Sequence, residues 1–150
     1  MTAPPDDPLE RFLVAQARDH DRALSELRAG RKLGHWMWYV LPQLRGLGES
    51  EKSRFYGLQD RREAGAYLAH PVLGPRLREA VAAMLLHRHR SAVAILGCTD
   101  ALKFQACMTL FARVAPGEPL FRDALNAFHQ GCEHRATRQL LGLADGDPAP

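Results

Sequence analysis

The stretch from Thr99 to Ala115 constrains the fold more than any other: it is apolar on nearly every side, begins at residues able to cap a helix (Thr99 or Asp100), and stops at Pro116-Gly117. A helix that is apolar all round cannot lie on a surface, because only burial on every side takes that area out of water. The rest of the chain must therefore wrap around it, and its spacing supplies the elements to do so. Asp7-Pro8 pairs a cap with a proline suited to the first helical position. Leu9, Phe12, Leu13, Leu24 and Leu27 then recur at helical intervals up to Gly30, as one helix or as two in tandem broken near Asp19.

Gly34 to Gln43, GHWMWYVLPQ, suits a short buried helix or a single strand, with helix favoured. Ser50 caps a short helix ending near Gly57, and Asp60 caps another that Pro71 stops. Leu73, Leu77, Val81, Met84 and Leu85 mark a helix ending near Arg88, with Pro75 in its tolerant first turn. Ser91 to Gly97 forms a further short turn. Pro119 to Phe128 and Ala136 to Leu141 complete the set, with Gly131 and Gly142 as stops. There is no internal repeat and no alternating strand of useful length. The expected fold is all-α, a single compact domain (1–150) of about six to eight helices of unequal length around a buried central helix. The ordered part is expected over about 7–143, with the Pro- and Asp-rich segments 1–6 and 144–150 as loose ends.

At 150 residues such a domain buries enough surface to fold without metal or disulfide. The chain carries 20 Lys and Arg against 17 Asp and Glu, divided 11 to 10 over residues 1–75 and 9 to 7 over the remainder. That even spread speaks against nucleic acid as a partner, since nucleic-acid binders concentrate positive charge on one face. No segment approaches the roughly 18 uncharged apolar residues of a membrane span, and the amino terminus lacks a basic start followed by an apolar run. Cys98, Cys107 and Cys132 cannot all pair and read as reduced, buried, structural thiols. These features lead to a cytoplasmic monomer or homodimer with no metal, cofactor or membrane partner.

Three segments could carry chemistry. Arg31, Lys32, His35, Trp36, Trp38, Tyr39 and Gln43 put cations, an imidazole, two indoles and an amide into one short run. In a helical run Lys32, Trp36 and Tyr39 share one face, and His35, Trp38 and Pro42 the next. Indoles and cations can sandwich a planar ring while His and Gln read its edge; equally, the indoles can be core anchors. In the second segment Asp100 and Lys103 sit three residues apart at the start of the apolar helix. A lysine there is costly to bury unless it is paired or faces a cleft. A helix-start ion pair and an anion site are both compatible with that spacing. The third, His87-Arg88-His89-Arg90 together with His129, Cys132 and His134, lacks the separated ligand pairs of a metal site. His87 to Arg90 reads instead as a solvated helix end whose cations favour the carbonyl pole. The signatures of phosphate loops, dinucleotide folds, serine hydrolases and zinc proteases are missing.

The strings GRKLGHWMWYVLPQLRGLGES, EAGAYLAHPVLGPRLREA and DALKFQACMTLFARVAP resemble the bacterial domain-of-unknown-function family numbered 1810 from Leu9 to about Leu141. The chain departs from that family's pattern at Ala106, where Ser is usual, and at His134, where Asp is common. The resemblance implies a compact all-helical monomer or dimer with no established activity. More faintly, a basic aromatic segment followed by Lys-Phe-Gln near a helix start is similar to the NADAR superfamily, which removes ADP-ribose from nucleobases.

The leading functional expectation is a pocket for a nucleotide-like or phosphorylated small molecule, extending to an N-glycosidase of ADP-ribosyl-type substrates. Lys103 with Lys32 or Arg31 would hold phosphate, Trp36 or Trp38 would stack the base, His35 and Gln43 would orient polar groups, and Asp100 or His35 would serve as acid and base. The alternative is a non-catalytic protein-interaction or metabolite-sensing module that uses the aromatic segment.

Overall fold

The computed structural model describes residues 7–143, and the expectation of loose ends at 1–6 and 144–150 lies outside them. Among the described residues there are nine helices and one isolated parallel bridge, between Leu44 and Leu58. The fold is all-α, as the spacing predicts.

Helix α1 (Glu10–Ala29) buries a stripe that includes Phe12, Ala15, Ala23 and Leu27. It runs unbroken through Asp19, because that carboxylate accepts from the Tyr39 hydroxyl, Arg18 and Arg22 instead of competing for its own backbone. Gly30 ends α1 in the left-handed region at φ 78°, where a side chain would be strained. Helix α2 (Met37–Val40) is a single turn, shorter than the expected segment, since Lys32 to Trp36 form a loop held by other elements. Helices α3 (Glu51–Tyr56) and α4 (Arg61–Ala69) start where Ser50 and Asp60 accept the Ser53 and Glu63 amides. Helix α5 (Leu73–Leu85) and the short α6 (Ala92–Leu96) follow.

Helix α7 (Cys98–Val114) is the central helix, with every residue from Ala106 to Ala112 buried. It packs against α4, α6, α8 (Pro119–His129) and α9 (Arg135–Leu140), while α5 packs against α1, α2, α4 and α8. The cap of α7 differs from expectation. Gly97, at φ 90°, stands at the cap and turns α6 straight into α7, so the helix starts at Cys98 and neither Thr99 nor Asp100 caps it. Asp100 falls in the first turn with its carboxylate available to side chains.

The cysteines also differ from expectation. Cys107 is buried, and burial pushes its thiol up, but Cys98 in the solvent-facing first turn of α7 and Cys132 in the loop after α8 are exposed. Among the described residues no helix is long and apolar enough to cross a membrane.

Candidate functional site

The loop after α1 is shaped by one carboxylate. Glu26 Oε1 accepts from the Leu33 amide at 2.6 Å, the Gly34 amide at 2.9 Å and the Trp36 indole N–H at 2.9 Å. Burial alone would raise its pKa, but the Gly34 and Leu33 amides and the indole outweigh that and hold it below the usual range. The Lys32 amide donates to the Ile95 carbonyl at 2.9 Å, tying the loop to α6. Lys32 and Trp36 thus come together without sharing a helix face.

This loop delivers Lys32 to α7. Its ammonium lies 2.8 Å from Asp100 Oδ2 and 2.5 Å from the Gly34 carbonyl, and 5.1 Å from the centre of the Trp36 ring. One turn along α7, Lys103 Nζ donates to Asp100 Oδ1 at 3.2 Å and stands 3.8 Å above the Trp38 ring. Each ammonium therefore has one Asp100 oxygen and one indole. The three side chains are 8%, 16% and 19% exposed for Lys32, Asp100 and Lys103, so desolvation strengthens the pairing while making a lost partner expensive. Two cations share one anion, which leaves the cluster with a surplus positive charge beside the half-buried Trp38.

The remaining predicted residues divide by depth. Trp36 is fully buried and serves as a core anchor, whereas Arg31 and His35 are exposed. Gln43 is buried, and its carbonyl accepts the Leu58 amide at 2.9 Å beside the Leu44 bridge.

Helix α2 is fixed from its other side. Gln16 Nε2 donates to the Tyr39 carbonyl at 2.7 Å and to the Tyr67 hydroxyl at 2.9 Å. The Tyr39 hydroxyl donates to Asp19, and that bond is the largest of the effects that keep Asp19 low. Trp38 is consequently presented on a rigid turn.

The histidine-rich segments have structural partners. His87 Nε2 sits 3.0 Å from both the Leu27 and Arg28 carbonyls, and Arg90 donates to the Gly30 carbonyl at 2.8 Å. His87 and Arg90 meet the carbonyl pole of α1, whereas Arg88 Nε donates to the Leu85 carbonyl at 3.3 Å at the end of its own helix, as expected of a solvated helix end. His134 Nδ1 accepts the Thr137 amide at 3.3 Å and caps α9, while its own amide donates to Thr109 Oγ1 at 2.8 Å.

The sequence reading missed a groove of about 990 Å³ where the start of α1 meets α3, lined by Pro8, Arg11, Arg45, Glu51, Lys52, Arg54, Phe55 and Tyr56. These residues come from separate segments with ordinary surface spacing, so no local pattern announces them.

An all-helical domain built on a central apolar helix, with a half-buried lysine–aspartate–lysine cluster seated on two indoles, is the class of protein defined here. The chain belongs to the family described as "Protein of unknown function (DUF1810)", whose model matches residues 6–141. Its fold is similar to the crystal structure of the conserved hypothetical protein Rv1873 from Mycobacterium tuberculosis, with 46% sequence identity and a TM-score of 0.88 over 91% of this chain and 97% of that one. No curated protein matches.

Proposed function

We propose that this is a non-catalytic binding domain for an anionic, ring-bearing small molecule of the nucleotide or sugar-phosphate class, docked at the Lys103–Trp38 edge of the cluster. The observation that carries the reading is that Lys103 Nζ stands 3.8 Å over a half-buried indole while sharing its single carboxylate with Lys32. A phosphate arriving there neutralises the surplus charge, and a flat ring finds the exposed part of Trp38. Arg31 and His35, exposed on the adjoining loop, supply further polar contacts. Lys32 and Trp36 act behind this layer, since Trp36 is fully buried with its N–H on Glu26, while Gln43 is occupied beside the Leu44 bridge and takes no part.

Binding is favoured over N-glycosidase turnover because both Asp100 oxygens are engaged by ammonium groups and Glu26 is committed to the loop. Neither carboxyl is free to shuttle a proton. The burial of Trp36 and Tyr39 favours a ligand edge over an aromatic docking surface for a protein.

A thermal-shift screen with AMP, ADP-ribose, NAD and glucose 6-phosphate tests this. A ligand at about 100 times its Kd adds about 2.7 kcal/mol, so Tm should rise by about 5–10 °C for a chain of this size. The rise should vanish in Lys103→Ala and shrink in His35→Ala. No shift with any of the four, or a shift that Lys103→Ala leaves intact, contradicts the reading.

A further inference from the structure

The groove between α1 and α3 has the anatomy of a protein-docking surface. Its apolar lining consists of Pro8, Phe55 and Tyr56. Phe55 is 56% exposed, yet its ring is held edge-on against Tyr56 at 4.8 Å. Tyr56 in turn contacts Tyr39 at 5.0 Å and Phe12 at 6.1 Å, so a ladder of rings anchors the exposed one to the core. An aromatic side chain already resting on a neighbouring ring has less freedom to lose on binding, which suits it to be an interface anchor.

The charges fall at the rim. Arg11, the deepest cation, is committed to Glu63 at 2.9 Å and to the Gly57 carbonyl at 3.0 Å. Arg45, Lys52 and Arg54 are exposed, with Glu51 as the acidic residue among the lining groups. A small anion would need an unneutralised cation at depth, and the charge of Arg11 is already met by Glu63, although its buried Nε has no hydrogen-bond partner among the described residues. An apolar lining inside a cationic rim instead matches a polypeptide that is acidic along its length and carries one apolar side chain. We propose that this groove docks an acidic protein segment, with an aromatic or aliphatic side chain seated against Phe55 and its carboxylates on Arg45, Lys52 and Arg54. This surface is separate from the lysine cluster, with which it shares no lining residue.

Fluorescence anisotropy tests it with a short fluorescein-labelled peptide bearing one central Phe flanked by alternating Asp and Glu. Saturable binding is expected, weakened at least about tenfold in Phe55→Ser and again in a Lys52→Glu, Arg54→Glu double variant. Both variants change exposed side chains and should keep the wild-type Tm, which is measured alongside. The proposal is overturned if the acidic peptide does not bind, if a peptide with Lys in place of its acids binds as well, or if either variant binds like wild type. Tighter, Phe55-dependent binding of an oligouridylate would make the groove a nucleic-acid surface and equally overturn it.

Discussion

Asp100 shows how one residue can hold two otherwise incompatible cations. Its carboxylate separates the ammonium groups of Lys32 and Lys103, all three being less than a fifth exposed. Asp100→Ala should therefore destabilise the protein by about 3 kcal/mol, since breaking a buried pair strands its partners, and Lys103→Met in the same background should recover part of that loss. Urea denaturation of the single and double variants checks this; a single variant within about 0.5 kcal/mol of wild type would mean that solvent already screens the cluster. The types of these residues were legible in the sequence: a lysine in an apolar helix and a cationic run among indoles both stand out. Their meeting was not, because a loop shaped by Glu26 brings Lys32 to a helix far along the chain. Glu26 itself, an ordinary acid on α1, gave no signal of that role.

At the scale of elements, boundaries are readable wherever a local rule decides them, as at Ser50, Asp60, Pro119 and Gly30. At Asp19 the spacing leaves one helix or two open, and a distant partner, Tyr39 on α2, decides for one; at the start of α7 the expected caps Thr99 and Asp100 give way to Gly97, which joins α6 to α7. The same kind of distant pairing fastens the carboxyl-terminal helices. Glu133 bonds Arg113 of α7 through both oxygens at 2.7 Å, Arg122 of α8 at 3.1 Å, and Arg138 of α9. Burial would raise this carboxyl, but the three guanidinium groups outweigh burial and hold it at about 2, against an ordinary 4.5. A lowered folded-state pKa contributes stability that is fully present above about 4.5 and is lost as pH falls towards about 2. Glu133→Gln should thus be markedly less stable than wild type at neutral pH, by about 3 kcal/mol. The gap in Tm between the two should narrow steadily through that acid window. A gap that stays constant as pH falls would contradict the assignment.

Across the whole molecule, α2 connects the two surfaces. Trp38 supports the Lys103 ammonium on one side, and the next residue, Tyr39, meets Tyr56 and through it the groove ring Phe55. A single turn, clamped by Gln16 and Asp19 of α1, thus sets the shape of the proposed ligand edge and backs the proposed docking surface. The net charge of +3 is too small and too evenly spread to reveal either; what matters is where carboxylates are missing beside cations, which the fold alone decides. The proposed function turns on Trp38 as the platform of the proposed ligand site. With two tryptophans in the chain, a Trp36→Phe variant leaves Trp38 as the sole indole emitter. Its fluorescence should be quenched saturably by at least one of AMP, ADP-ribose, NAD or glucose 6-phosphate, with the quenching abolished by Lys103→Ala. Emission unchanged by all four in a variant that folds normally would contradict it.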